Sequence, residues 1–253
     1  MVLELLFILL LLFAIALISY RGAIHEYQIL QRDYGDDVNW SELLGENLPI
    51  VVRNVPKTWI GGWTAAKHAN RPYPIRVVNP EGKKFKTTWN NWIEEPNDTR
   101  PDDLSSVQTA AHLERVGLAM KEEGFTRWSF ITTVVKPAVI PQGTNVQLTK
   151  GVAEFTVLTV TDGAPLTVWL AHEGAINGTD LLGENPWTVT SDTVPSIGDV
   201  KYIEIRIRQH NSIAIPKHWY YALKNDDEEP CWYHSVELHS ATSRIVSMFI
   251  EKP

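Results

Sequence analysis

Three regimes of hydrophobic patterning divide the chain. From Val2 to Ile18 every residue is apolar except Glu4. As a helix these 17 residues would rise roughly 25 Å, close to the hydrocarbon thickness of a bilayer. Ser19 and Tyr20 lengthen the run, and Tyr20 with Arg21 offers an aromatic ring and a cation suited to the membrane interface. The run is apolar all round, whereas a helix lying on a soluble core keeps one polar side. The pattern predicts a single-pass anchor over residues 1–21, with Leu5, Phe7, Leu10, Phe13 and Ile18 in lipid and Tyr20 and Arg21 at its edge. The rival is a cleaved signal peptide. Ala14-Ile15-Ala16 is a small-x-small site, but it lies inside the apolar run, and Glu4 stands where such peptides carry Lys or Arg. Arg21 and Arg32 on the C-terminal flank favour a cytosolic domain only weakly, so the side of the membrane stays open.

Residues 22–47 are polar with apolar positions at Ile24, Tyr27, Leu30 and Tyr34. That spacing predicts a juxtamembrane helix ending near Gly35, then a short helix at Trp40–Leu44. From residue 48 to 253 the chain reads mainly as β. Leu48–Arg53 and Pro74–Val78 are strand signatures, and Asn79-Pro-Glu-Gly82 turns the second into Lys83–Thr87. Thr87 or Thr88 then caps a short helix holding Trp89, Trp92 and Ile93. Leu104–Glu123 carries Val107, Ala111, Leu113, Val116, Leu118 and Met120 at helical intervals and is expected to be one helix closed by Gly124. Beyond it, Trp128–Ile140, Val146–Leu148, Val152–Val160, Leu166–His172, Tyr202–Arg208, Ser212–Ile215 and Ser243–Glu251 read as strands between Pro and Gly turns. Many short strands after a helical preamble predict a sandwich or barrel.

Charge and cysteine content narrow the function classes. A formal net charge of −7, with no basic run, argues against a nucleic-acid partner. The single cysteine, Cys231, excludes an internal disulfide framework and a Cys-based zinc cluster. The sequons at Asn39, Asn97 and Asn177 bear on the protein only if the domain is lumenal.

Two stretches resemble the JmjC-like branch of the cupins, whose fold is a jelly roll, the double-stranded β-helix. Leu48-Pro-Ile-Val-Val-Arg-Asn-Val55 with Trp59, and Lys83-Lys-Phe-Lys-Thr-Thr-Trp-Asn-Asn-Trp-Ile93, are similar to the family's entry strand and the strand-then-helix after it. Ser212-Ile-Ala-Ile-Pro-Lys-His-Trp-Tyr-Tyr-Ala-Leu-Lys-Asn225 lies on the late motif G-x5-P-x-G-x2-H-x3-N, with Pro216 and Asn225 matching. Val157-Leu-Thr-Val-Thr-Asp-Gly163 looks like the strand that leads into the family's Ser-Gly turn. Active relatives hold Fe(II) through a His-x-Asp/Glu pair and a later His. On this resemblance the ligand positions fall at Lys150, Val152 and Tyr221, none of which suits iron; the chain's one His-x-Glu, His112-Leu113-Glu114, lies in the stretch read as a helix, well before them. The resemblance therefore implies a cupin whose metal ligands are lost.

Other chemistry is thin. His234 and His239, five apart on an apparent strand, point to opposite faces, as do Cys231 with His234 and His172 with Glu173. His210 and His218 flank a strand and meet only if the chain folds them together. No G-x-S-x-G, P-loop or G-x-G-x-x-G is present. Trp219, Tyr220 and Tyr221 in a row must put at least one ring into the barrel mouth and one outside it. The acidic run Asp226–Glu229 reads as a solvated loop.

The expected protein is thus a mainly β, cupin-like jelly roll with helical N-terminal additions and one N-terminal transmembrane helix. Its segments are an anchor (1–21), a juxtamembrane helical stretch (22–47) and the β domain (48–253). The expected role is that of a catalytically degenerate structural or binding module with no cofactor and no metal, anchored in a membrane and meeting a protein partner as part of a membrane-associated or virion assembly. Trp169, His172, His218, Trp219, Tyr221 and Asn225 are the candidate pocket or partner-binding residues. Two alternatives stand beside it: an Fe(II)/2-oxoglutarate-type oxygenase with re-sited ligands, and a lectin-like module using exposed aromatics such as Trp187.

Overall fold

The computed structural model describes Phe7 and residues 28–35, 37–62, 72–79, 81–94, 99–140, 142–176, 181–190, 192, 194, 197, 200–241, 243 and 244. The anchor expected over residues 1–21 therefore lies, but for Phe7, outside the described residues. Among the described residues no helix is long and apolar enough to cross a membrane. The protein is mainly β. Thirteen described strands form three sheets. The largest has the order β1 (Leu30–Asp33), β2 (Ile50–Arg53), β11 (Ser212–Pro216), β8 (Phe155–Gly163), β13 (Cys231–His239) and β6 (Thr132–Ile140). A four-stranded sheet runs β10 (Ile203–Ile207), β9 (Leu166–His172), β12 (Trp219–Lys224) and β7 (Asn145–Lys150), and a small one β4 (Lys84–Thr88), β3 (Pro74–Val78) and β5 (Arg100–Asp103). All pairings are antiparallel except β1 with β2.

Burial follows from how many faces each strand must hide. β8 lies inside the large sheet and is buried from Phe155 to Thr161, so it reads as a nearly unbroken run of β-branched and aromatic residues. Its inner face (Leu158, Val160) packs with Val51, Ile213, Ile215 and Tyr233 against Leu166, Val168, Leu170, Trp219 and Leu223 of the four-stranded sheet. Its outer face (Phe155, Val157) joins Ile50, Val52, Val236 and Leu238 beneath a layer of helices. There Trp40, Trp59 and Phe125 pack ring on ring, with centroids 5.2 Å (Trp40–Phe125) and 5.0 Å (Trp59–Phe125) apart. β10 is an edge strand, and its Ile203-Glu-Ile-Arg-Ile207 alternation is half-exposed as its pattern predicts.

Three expectations are corrected. Leu30–Asp33, placed in a juxtamembrane helix by its apolar spacing, is instead strand β1, parallel to β2; its backbone completes the edge of the large sheet. The helix expected over Leu104–Glu123 breaks into α4 (Ser105–Ala110), a 3-10 turn at Leu113–Arg115 and α5 (Val116–Glu122), following α1 (Trp40–Gly45), α2 (Lys57–Ile60) and α3 (Trp89–Glu94). The break sits at His112, whose φ of 54° is left-handed. The Ala111 carbonyl accepts from Gly62 N (2.8 Å), so the α2 loop takes an acceptor that a continuous helix would use. The strand expected at Ser243–Glu251 is helical at Ser243 and Arg244, the rest lying outside the described residues. Ser240 opens this turn, its Oγ accepting from Ser243 N (3.2 Å) while Ser240 N donates to Ser243 Oγ (2.9 Å). The strand expected from Trp128 begins only at Thr132, and β12 and β5 were not anticipated.

Candidate functional site

The positions that the resemblance assigns to iron fall on neighbouring strands. Tyr221 on β12 pairs with Thr149 on β7, one residue before Lys150. Alternation turns their side chains to opposite faces. Tyr221 faces the space between the two larger sheets, where burial, helped by the Glu237 carboxylate, pushes its phenol up to about 12. Lys150 faces outward: its ammonium lies 5.3 Å from the Tyr220 ring centroid and 2.5 Å from Glu173 Oε2. Val152 carries no donor atom. These residues do not fit an Fe(II) ion, and among the described residues no group of three or more His, Cys, Asp or Glu is placed to hold a metal. What fills the inter-sheet space is Leu, Ile, Val, Trp219 and Tyr233, together with the thiol of Cys231, which burial holds protonated by pushing it up to about 12.

The aromatic triplet divides as alternation requires, with Trp219 inward in the central core and Tyr220 outward in the cluster of Leu148, Trp169 and Ala222. His172 rests edge-on against Trp219 (5.4 Å) and accepts from Gly174 N through Nδ1 (3.1 Å). His218 points the other way, its Nδ1 bonded to Glu173 Oε1 at 2.7 Å. Burial, joined by the Lys217 and Lys150 ammonium groups, outweighs the Glu173 carboxylate and holds the His218 ring below its usual value, so Nδ1–H of a neutral imidazole is the donor at neutral pH. Burial alone would raise Glu173, but Lys150 and His218 outweigh it and hold the carboxyl below its ordinary value. Asn225 is fully buried and clamps the turn after β12: its Nδ2 donates to Ile140 O (3.1 Å) and Glu229 O (2.7 Å), and its Oδ1 accepts from Asp227 N (3.1 Å). The six candidate pocket residues thus go to different places. His172, Trp219 and Tyr221 face the inter-sheet core, Trp169 and His218 the opposite side of the sheet, and Asn225 its far end.

His210 and His218 stand beyond opposite ends of β11 and do not meet. His234 lies on the helix-facing side of β13 while Cys231 lies on the inner side. Two arrangements escaped the sequence reading. Near the start of β8, Ser240 Oγ donates to Glu154 Oε1 (2.7 Å), Lys217 Nζ pairs with Glu154 Oε2 (3.1 Å), Glu237 meets Lys136, and His239 Nε2 lies 3.3 Å from Glu237 Oε2. Ser243 Oγ, 3.4 Å from His239 Nδ1, completes a Ser-His-Glu series, but that hydroxyl serves the helix cap and His239 is fully buried. Ser243 is itself buried, and its hydroxyl both accepts from Ser240 N and donates to Ser240 O. The second is a cleft of about 200 Å³ lined by Trp169, Pro186, Trp187, Ile197, Tyr202 and Glu204. Trp187 Nε1 donates to Glu204 Oε2 (2.7 Å), and Tyr202 stacks on Trp169 at 5.3 Å. Glu204 was legible as the outward residue of an alternating strand; nothing local tied it to Trp187, 17 residues upstream. Compared with known proteins, the chain matches no family model and no curated protein.

Proposed function

We propose that this chain is a membrane-anchored, cupin-like jelly roll without catalytic machinery, working as a structural or binding module. Strand order supports the fold: β6-β13-β8-β11 lie in one sheet and β7-β12-β9-β10 in the other, and successive strands from β6 to β13 change sheets at every step except β9 to β10, which pair with each other. The observation that carries the functional reading is the filled interior. Where an iron cupin keeps imidazoles and a carboxylate around open coordination positions, the middle of this core packs Leu, Ile and Val with Trp219 and Tyr233, and the imidazole that faces it, His172, is bonded to Gly174 N and rests on the Trp219 ring. A rigid, filled double sheet presents loops and faces to a partner and offers no reaction chamber.

The test is metal and turnover analysis of the purified full-length chain loaded with Fe(II) and 2-oxoglutarate, alongside flotation with lipid vesicles. The expected result is no stoichiometric iron, no 2-oxoglutarate consumption, and co-flotation that survives alkaline extraction. Stoichiometric iron with turnover abolished in His218→Ala or His172→Ala would establish the oxygenase instead. A second reading is favoured by the Trp187–Glu204 cleft: aromatic faces beside a carboxylate suit a small polar ligand such as a sugar. Sugar-dependent thermal protection, lost in Trp187→Ala, is its signature.

A further inference from the structure

Strand register fixes which loops share an end of the large sheet. β1 and β2 start, β8 starts, and β11 and β13 finish at one end, marked by Leu30, Ile50, Phe155, Pro216 and His239. β6 starts there too, since Thr132 pairs with His239. The loop that leads into β6 carries Trp128, 89% exposed, and Ile131, 56% exposed. An indole held almost wholly in water is costly surface, and exposed apolar groups set together mark contact sites. This loop is tied to the entry of the chain. Arg127 Nη1 donates to Asn47 Oδ1 (3.2 Å), and two residues on, Pro49 O accepts from Leu30 N (2.9 Å).

The apolar run of the sequence leads directly into that entry. From Arg21 to Leu30 the chain reaches at most about 30 Å even when fully extended. The acidic run Asp226–Glu229 precedes the start of β13 at the opposite end of the sheet, whereas Arg127 lies at the entry end. We infer that the end of the large sheet carrying Trp128 and Ile131 rests on the lipid bilayer, with Trp128 seated among the headgroups and the strands standing up from the membrane. This rests on the anchored reading above. The apolar segment supplies the tether, Trp128 and Ile131 supply a second, interfacial contact, and the acidic loop is held roughly one strand length, about 30 Å, away from lipid phosphates.

The experiment labels Trp128→Cys, Ile131→Cys and Glu228→Cys of the full-length chain with an environment-sensitive fluorophore in phosphatidylcholine–phosphatidylserine vesicles, with and without brominated acyl chains. The wild-type chain, labelled in parallel, reports any reaction at buried Cys231. Flotation of each sample reads the anchor separately. The expected result is blue-shifted emission and about a twofold loss of intensity with brominated lipid at positions 128 and 131, with no change at 228. Equal responses at both ends in chains that float overturn the orientation while leaving the anchor standing. Unquenched probes at 128 and 131, together with a disulfide formed between two copies of unlabelled Trp128→Cys under a mild oxidant such as copper phenanthroline, overturn it in favour of a second copy on this surface. Failure to float overturns the anchored reading and this proposal with it.

Discussion

His234 offers the sharpest test of how the core is built. Its imidazole is fully buried on the helix-facing side of β13, and among the described residues neither ring nitrogen has a hydrogen-bond partner. Burial pushes its pKa from 6.5 down to about 4. The unfolded chain therefore binds a proton between about pH 6.5 and pH 4 that the folded chain refuses, so stability is complete above 6.5 and is lost as pH falls through this window. The gap corresponds to about 3 kcal/mol in full, at about 1.36 kcal/mol per pH unit, and to about 2 kcal/mol by pH 5. That is a large share of the roughly 5–15 kcal/mol that holds a domain together. His218, whose pKa is also lowered, acts in the same direction, so the informative quantity is the difference between wild type and His234→Leu. Urea unfolding of the detergent-solubilised full-length chain, followed by tryptophan fluorescence at pH 7 and pH 5, reads it. The wild type should lose about 2 kcal/mol more than His234→Leu on acidification, and the variant should match or exceed the wild type at pH 7, because an unpaired polar group is removed. Equal losses in the two proteins, or a variant destabilised by more than about 1 kcal/mol at pH 7, would refute the reasoning, since either outcome requires a partner for the imidazole.

Three further outcomes follow from single contacts. Gly163 has a φ of +76°, and a Cβ there would lie 2.1 Å from the Pro230 carbonyl oxygen, so Gly163→Ala should cost about 3 kcal/mol or more in denaturant unfolding. Asn225→Ala strips three hydrogen bonds from a fully buried turn and should cost about 2–3 kcal/mol by the same measurement, with the β12–β13 amides losing protection from hydrogen exchange. Glu173→Gln removes the carboxylate that Lys150 and His218 share; an NMR titration should show the His218 pKa falling further, while stability at pH 7 changes by about 1 kcal/mol or less because the pair is about one-third exposed.

The residues themselves marked most of the strands. Leu166–His172 and Pro74–Val78 have the bounds their patterns predict, because a strand's side chains alternate or bury together and the sequence repeats that rule directly. The short helices at Trp40 and Trp89 were legible for the same reason. Spacing failed where backbone partners decided the outcome. Leu30 and Tyr34 sit at helical intervals, yet an open sheet edge beside β2 drew Leu30–Asp33 into a strand. Val107, Ala111, Leu113, Val116 and Met120 are all buried, as a helical pattern demands, but a distant loop claimed the Ala111 carbonyl and broke the helix.

For the site, the chain alone showed that Lys150, Val152 and Tyr221 stand where the resemblance would put ligands, and that its one His-x-Glu, His112-Leu113-Glu114, lies elsewhere. Alternation also told that Trp219 and Tyr220 must diverge. Only the tertiary structure brought Lys150, Glu173 and His218 into one outward cluster, joined Trp187 to Glu204 across a cleft, and set Trp128 at the same end of the sheet as the chain's entry. These partners are separated by 17 to 80 residues along the chain. A residue's own type and its neighbours set how it sits on a strand, but which strand lies beside it is settled by sheet order, and that is a property of the whole fold.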